Sequence, residues 1–481
     1  MSKIKKVLAM LLALAMVLGT TLTAFAAPKD TATITVKESD GSLSKAAFKY
    51  VQVIEPSQTT VTGWAFSSAA IEQAYLEAFG LSDSQAVIQE MIDLQKASPN
   101  TAGNAEKVRT ALSKVAALNI FDDMTNPQEV TVAGVYAIKG SEEGYTYSNM
   151  SAYVGFGKIE NNEYPSLTDA DVTAKKTPTT VIKTDDDKDN VVQIGDIVTY
   201  TIEAYVPFID EENINKTFSI TDKITGADYY LTGENSQATV AMEGKPDPVA
   251  TATDFVLNND KKGFTITLDS LVNNKTNENA GKKITVTYTA KVNDTIVENE
   301  AGSHVSGNDY SSEKVTLYTA EITMVKYASD DTETLDDNEK LANAGFVIYK
   351  LDGQKKLYAK FDSNNKFAGW GDEADAVEVI TNSEGSLKIE GLDVGTYYFQ
   401  EKTAPKGYSL NTAPSIVEIK LNQGQTEATE IIKANTHMLD TKLSSLPSTG
   451  GIGTTIFTIG GCLIMIAAAG LFFASRRKSA K

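Results

Sequence analysis

The sequence has one cysteine, Cys462, and two histidines, His304 and His437, in 481 residues. A lone thiol excludes any disulfide within the chain, so a fold of this composition needs another means of resisting unfolding, or large cores. The histidines are far apart and fit no metal-ligand spacing, which removes the basis for a zinc site or a Ser-His-Asp hydrolase; no metal or other cofactor is expected. No glycine loop of the phosphate-cradling kind is present. Tryptophan is scarce as well, and Trp64 and Trp370 read as packing residues rather than a sugar platform. Positive charge is in deficit, 44 Lys+Arg against 63 Asp+Glu. That balance argues against nucleic acid and anionic lipid surfaces as partners.

Long apolar runs occur only at the two ends. Lys3, Lys5 and Lys6 precede an apolar stretch from Val7 to Leu18, and Ala24-Phe25-Ala26 supplies the small residues of a cleavage site. The run is short for a membrane span, so residues 1–26 read as a removed export signal. At the other end, Leu446-Pro447-Ser448-Thr449-Gly450 is followed by an uncharged run from Ile456 to Ala474 and by Arg476, Arg477, Lys478 and Lys481. That run is about as long as the roughly 20 residues that cross a bilayer, and the basic end stays on the cytoplasmic side. Between the two ends the body keeps 37 Lys+Arg and all 63 Asp+Glu, a net charge of −26. At about 420 residues it is too long for one core and suggests about three domains.

In the body, period-2 alternation dominates. Thr33–Lys37 and Phe48–Ile54 predict strands, then Ser67 or Ser68 and Ser82 or Asp83 cap two helices, and a third spans about Ala105 to Leu118. Strands return over Glu129–Ile138 and Met150–Gly157, and a threonine-rich connection follows from Asn161 to Thr180. From Thr180 the pattern is purely β, with strands at Thr180–Lys183, Asp196–Val206, Phe218–Ile224, Phe264–Leu268 and Ile284–Val292. Further strands are predicted at Glu321–Lys326, Ala344–Lys350 and from Gly395, and a separate last strand ends with Ile431–Thr436. The fold class is therefore mainly β: tandem Ig-like sandwiches over 27–170, 171–318 and 319–440, the first with a helical insertion, with 441–481 as the tail. Asp185, Asp187 and Asp189 share some spacing with a calcium loop, but Asn190 stands where the turn glycine would be and no flanking helices are evident, so this reads as a hairpin loop.

Three stretches resemble known families. The pentapeptide, apolar run and basic end, in that order, resemble the cell-wall sorting signal that Gram-positive sortases cut between Thr and Gly, which implies transfer of the Thr449 carbonyl to an amine. Val191–Ile202, Pro207 and Ile220–Ile224 resemble the fimbrial isopeptide-forming domain of pilin shafts. Glu401-Lys402-Thr403-Ala404-Pro405-Lys406-Gly407-Tyr408 is similar to the E-box of collagen-adhesin B-type domains.

The resemblance implies a structural subunit of a wall-anchored, covalently polymerised pilus serving adhesion. Its partners would be sortase, identical subunits, peptidoglycan and an unidentified host or surface ligand; a monomeric anchored adhesin or terminal pilin is the alternative, and no enzyme activity is expected beyond autocatalytic bond formation. It also implies intramolecular isopeptide bonds. In the third domain these residues are Lys326, Glu401 and Asn435. In the second they are Lys183, Asp222 and Asn308, with Asn299 competing for the acceptor position and Lys176 for the amine. Burial among rings would leave the lysine a neutral nucleophile and the acid protonated against the acceptor's oxygen. An intersubunit acceptor lysine is implied too; where the family carries Tyr-Pro-Lys-Asn this chain reads Tyr164-Pro165-Ser166-Leu167, leaving Lys175, Lys176 and Lys158 as candidates.

Overall fold

The structure, a computed structural model of the chain, describes residues 31–96, 102–156, 166–274, 277–312, 314–328, 335–442 and a helical fragment at 464–466 and 468. It is mainly β and divides into two compact units. One comprises the chain to Asn190 together with Gly195–Tyr318; the other comprises Val191–Ile194 and the chain from Thr319. Leu446 to Gly450 and Lys158 lie outside the described residues, as does nearly all of the run from Ile456; among the described residues no helix is long and apolar enough to cross a membrane.

The first unit opens with a sheet and helix body. Strand Ala47–Pro56 pairs with Gly134–Ser141, which pairs with Met150–Val154. Helix Ala69–Phe79 starts where the Ser68 side chain accepts the Ile71 N–H and stops at Gly80, whose φ of 67° suits glycine. Its apolar residues recur at helical spacing, so Ile71, Tyr75 and Phe79 fall on one face and enter one core with Ile88, Met91, Leu112 and the sheet residues Ile54 and Ile138. Part of the expected connection is strand. Ala170–Thr173 runs parallel to Ala32–Lys37, and Lys176–Pro178 pairs with Tyr145–Tyr147. Alanines 170 and 174 are buried there together with Leu167, Thr177 and Thr179, and small residues among threonines give a weak alternation signal.

The same unit continues as a two-sheet sandwich. One sheet contains Ile182–Asp185, Ile197–Tyr205 and Lys283–Val292 as neighbours; the other contains Gly263–Thr267, Phe218–Thr225 and Ile296–Val305. Alternation decides what faces inward: Val198, Tyr200, Ile202 and Ala204 are buried between partly exposed residues. At Gly226, with φ of 73°, a Cβ would lie 1.9 Å from the Ile296 carbonyl oxygen, so the turn after Thr225 can close against the neighbouring strand only with glycine there.

The second unit is a smaller sandwich. A three-stranded sheet has Ala320–Tyr327 at its centre, between Ser386–Leu392 and Ile432–Leu439. It is packed against a sheet built around Gly345–Asp352 and Gly395–Thr403, and Ile322, Met324, Phe346, Phe399 and Met438 fill the space between. Its first and last strands are parallel neighbours, with Lys326 opposite Met438.

Candidate functional site

Each sandwich buries a lysine among acids. In the second unit, inward positions along the first strand run Ala320, Ile322, Met324 and then Lys326, which is wholly buried. Along Gly395–Thr403 the inward series is Tyr397, Phe399 and Glu401, equally out of water. The Lys326 Nζ lies 3.0 Å from Glu401 Oε1 and 2.5 Å from Asp440 Oδ1, and 5.7 Å from the centre of the Phe346 ring. Glu401 Oε2 accepts the Asn411 N–H at 2.8 Å. Burial, helped by the nearby Asp440, raises the Glu401 pKa, while the Asn411 N–H and Lys326 pull against it.

Asn435, the expected partner, is not in this cluster. It is exposed, opposite Thr323, on the outward parity of the last strand. The strand runs on to Leu439, and the ladder continues one step as Asp440 N–H donates to the Tyr327 carbonyl at 2.9 Å. Asp440 thus shares the parity of Met438 and turns inward, buried to within 2% of its surface. Part of the signal was in the sequence: Ile432, Ala434, Thr436 and Met438 alternate with Lys433, Asn435 and His437, which puts the asparagine off the inward series, while Leu439 before Asp440 breaks the alternation.

In the first unit, Lys183 sits opposite Ile202 on the inner face, and its Nζ is hydrogen-bonded to Asp222 Oδ2 and, at 2.5 Å, to the Tyr288 hydroxyl. Both charged side chains are fully buried. Asp222 Oδ1 accepts the Tyr229 O–H at 2.7 Å. Tyr200 stacks on Tyr288, with centroids 5.5 Å apart. Burial pushes the Lys183 pKa down and the Asp222 pKa up, both against the charged forms. The carboxamide facing this pair is that of Asn299, which is wholly buried and donates from Nδ2 to the Tyr288 hydroxyl at 2.8 Å.

Asn308 is exposed at the start of a short edge strand opposite Val305. Asn299 takes the inward place because it shares parity with Val297 and Ala301, opposite Ile224, one pleat repeat from the Asp222–Ala301 pair. The long strand that carries it lies beyond the last one predicted for this domain, which is why the sequence left the two asparagines undecided. Lys176 is no competitor for Lys183: it pairs with Glu142 at 2.7 Å and Glu38 at 3.3 Å, over the Tyr145 ring. Those carboxylates raise its pKa, Glu142 most. Neighbouring Lys175 is half-buried with no carboxylate partner among the described residues; burial first, then the Arg109 charge, pushes its pKa down. Among the described residues no group of His, Cys, Asp and Glu is arranged to hold a metal ion.

Comparisons with known proteins fit this architecture. Residues 331–434 match the family model of the SpaA prealbumin-like fold domain, and residues 439–481 match the LPXTG cell wall anchor motif. The chain is 21% identical over 449 residues to the trypsin-resistant surface T6 protein of Streptococcus pyogenes serotype M6, covering 77% of this chain and 80% of that one. The solved T6 backbone pilin of serotype M6 Streptococcus pyogenes, described as a modular three-domain structure, superposes with a TM-score of 0.50 at 16% identity, over 88% of this chain and all of that one. The full-length major pilin SpaD from Corynebacterium diphtheriae gives a TM-score of 0.47 at 16% identity, over 86% of this chain and 97% of its own. The two family-model matches place a prealbumin-like domain and a cell-wall anchor motif in this chain, and the T6 backbone pilin shares its fold.

Proposed function

We propose that this chain is the shaft subunit of a wall-anchored pilus whose sandwiches are each tied by one amide between side chains, Lys183 to Asn299 and Lys326 to Asp440. The observation that carries the reading is the pair of buried lysines, each against a buried acid and a buried acyl acceptor, with the charged side chains wholly out of solvent. A buried ion pair is weak support for stability as such, so a purely structural reason for two of them is wanting.

The chemistry differs between the two sites because the acceptors differ. At Asp440 an ammonium and a carboxylate condense and water leaves; at Asn299 a neutral amine displaces ammonia. Glu401, protonated above the ordinary carboxyl range, donates to the acceptor carbonyl and makes its carbon electrophilic. Asp222 takes the Lys183 proton. The second-unit core holds its reactants in contact and the first gathers both of its own around the Tyr288 hydroxyl, and such positioning supplies most of the rate. Externally, the Thr449 carbonyl released by sortase joins an amine of the next subunit, and Lys175 suits that role better than Lys176, which two carboxylates hold as a cation.

Intact mass of the folded protein tests the internal bonds. Loss of one ammonia and one water removes about 35 Da in total from the sequence mass. A protein at its full sequence mass ends the proposal. A ladder of high-mass species in denaturing gels of wall extracts distinguishes a shaft subunit from a singly attached adhesin.

A further inference from the structure

Among the described residues, the amide-forming site of the first unit contains a hydroxyl that has no counterpart at the other site. The Tyr288 oxygen accepts from Lys183 Nζ at 2.5 Å and from Asn299 Nδ2 at 2.8 Å, and so stands between the attacking nitrogen and the one that must leave. Asp222 is not placed for that second task. Its oxygens are engaged by Lys183, Tyr229 and the Tyr288 hydroxyl itself, and among the described residues neither hydrogen-bonds Asn299. An amide nitrogen is a poor leaving group until it is protonated, so an acid without access to it leaves the reaction incomplete.

We propose that the Tyr288 hydroxyl is a catalytic proton relay for the Lys183–Asn299 bond, taking a proton from the attacking amine and giving its own to the departing carboxamide nitrogen. This rests on the isopeptide reading above. In the planar amide, Nδ2 has its lone pair delocalised and can only donate. Once Lys183 has attacked, the carbon is tetrahedral, the lone pair localises on Nδ2, and the same contact reverses: the phenol O–H donates to Nδ2. The Nζ–H proton passes to the phenol oxygen as the phenol proton passes to Nδ2; the carbon–nitrogen bond breaks, ammonia leaves and the hydroxyl is restored. Burial keeps the phenol protonated throughout, with its pKa well above the ordinary value. At Lys326 the acceptor is a carboxyl oxygen that carries lone pairs from the outset and lies 2.5 Å from the amine, so no intermediary hydroxyl is needed.

The test follows bond formation by intact mass during cell-free synthesis of residues 27–449, with peptide mapping to assign each bond. Tyr288→Phe is expected to slow the Lys183–Asn299 bond at least about a hundredfold, the lower range for a positioned proton-transfer group, while Lys326–Asp440 forms at its usual rate. Adding Asn299→Asp to Tyr288→Phe restores bond formation at Lys183, now with loss of water, because the leaving atom no longer depends on the relay; a packing role would not be rescued this way. As a second probe, 3-fluorotyrosine at 288 keeps the hydroxyl but changes its acidity, and a changed rate is expected. Wild-type speed in both Tyr288→Phe and the fluorotyrosine protein overturns the relay. Absence of the bond in wild type overturns instead the reading on which the relay rests.

Discussion

Glu401→Gln isolates the covalent tie of the second unit. Glutamine keeps the volume and an oxygen to accept the Asn411 N–H, and Lys326 retains Asp440 at 2.5 Å, so no buried charge is orphaned. What is lost is the proton that activates the acceptor, and with it the bond. Lys326 and Asp440 are 114 residues apart, and closing a loop of that size in the unfolded chain is worth about 5 kcal/mol on the chain-entropy model. For a unit of this size, with an unfolding entropy of about 2.1 cal/mol/K per residue, that corresponds to a fall in melting temperature of roughly 20 °C. Scanning calorimetry of wild type and variant, each with its intact mass, measures it. The variant should lack the water loss, and its second-unit transition should drop while the first-unit transition stays. If the bond is absent and the drop is only a few degrees, the loop-closure reasoning is wrong; if the bond still forms, Glu401 is not its promoter.

Other outcomes follow from the same geometry. Asp440→Asn should form the bond far more slowly, with loss of about 17 Da in place of about 18 Da, because among the described residues its leaving nitrogen has no hydroxyl beside it to protonate it, whereas Asn435→Ala should leave the mass change untouched. Burial raises the Glu401 pKa above its ordinary 4.5, so the active, protonated acid persists above that value and is lost as pH climbs through the raised one. Formation of the Lys326–Asp440 bond, timed by mass after synthesis at a series of pH values, should therefore slow toward alkaline pH. Lys175→Arg should abolish the high-mass ladder in wall extracts, and Lys176→Arg should leave it.

What the sequence disclosed and what it hid divide along one line. Alternation placed Lys326 at the end of Ile322 and Met324, and the E-box placed Glu401; both are local patterns, legible from a few residues. The acceptors are set by parity over whole strands. Asn435 fails by one residue of parity, and Asp440 was passed over because the last strand runs to Leu439, beyond the predicted end near Thr436. Asn299 needed the strand Ile296–Val305, whose Glu298, Glu300 and His304 dilute its apolar signal. Tyr288 falls within the predicted strand Ile284–Val292, where nothing in the sequence sets it apart. Its role depends on a contact between two sheets, and no spacing along one strand can report that.

The placement of the ties decides how such a chain carries load. In the second unit the first and last strands are parallel neighbours, so tension entering at Ala320 and leaving past Asp440 shears them along their length. With the amide in place, force travels from Ala320 to Lys326, crosses to Asp440 and departs; the loop of residues between them bears none. In the first unit an amide between Lys183 and Asn299 would carry the force across in the same manner and spare the residues between them. Pulling single molecules by their ends makes this measurable. Released from the tie by Asp440→Ala, the 114-residue separation should lengthen the chain by roughly 400 Å on unfolding, at 3.3–3.6 Å per residue. Wild type should show no such step from either loop, and a full-length step in wild type would mean that the lysines hold their partners by charge alone.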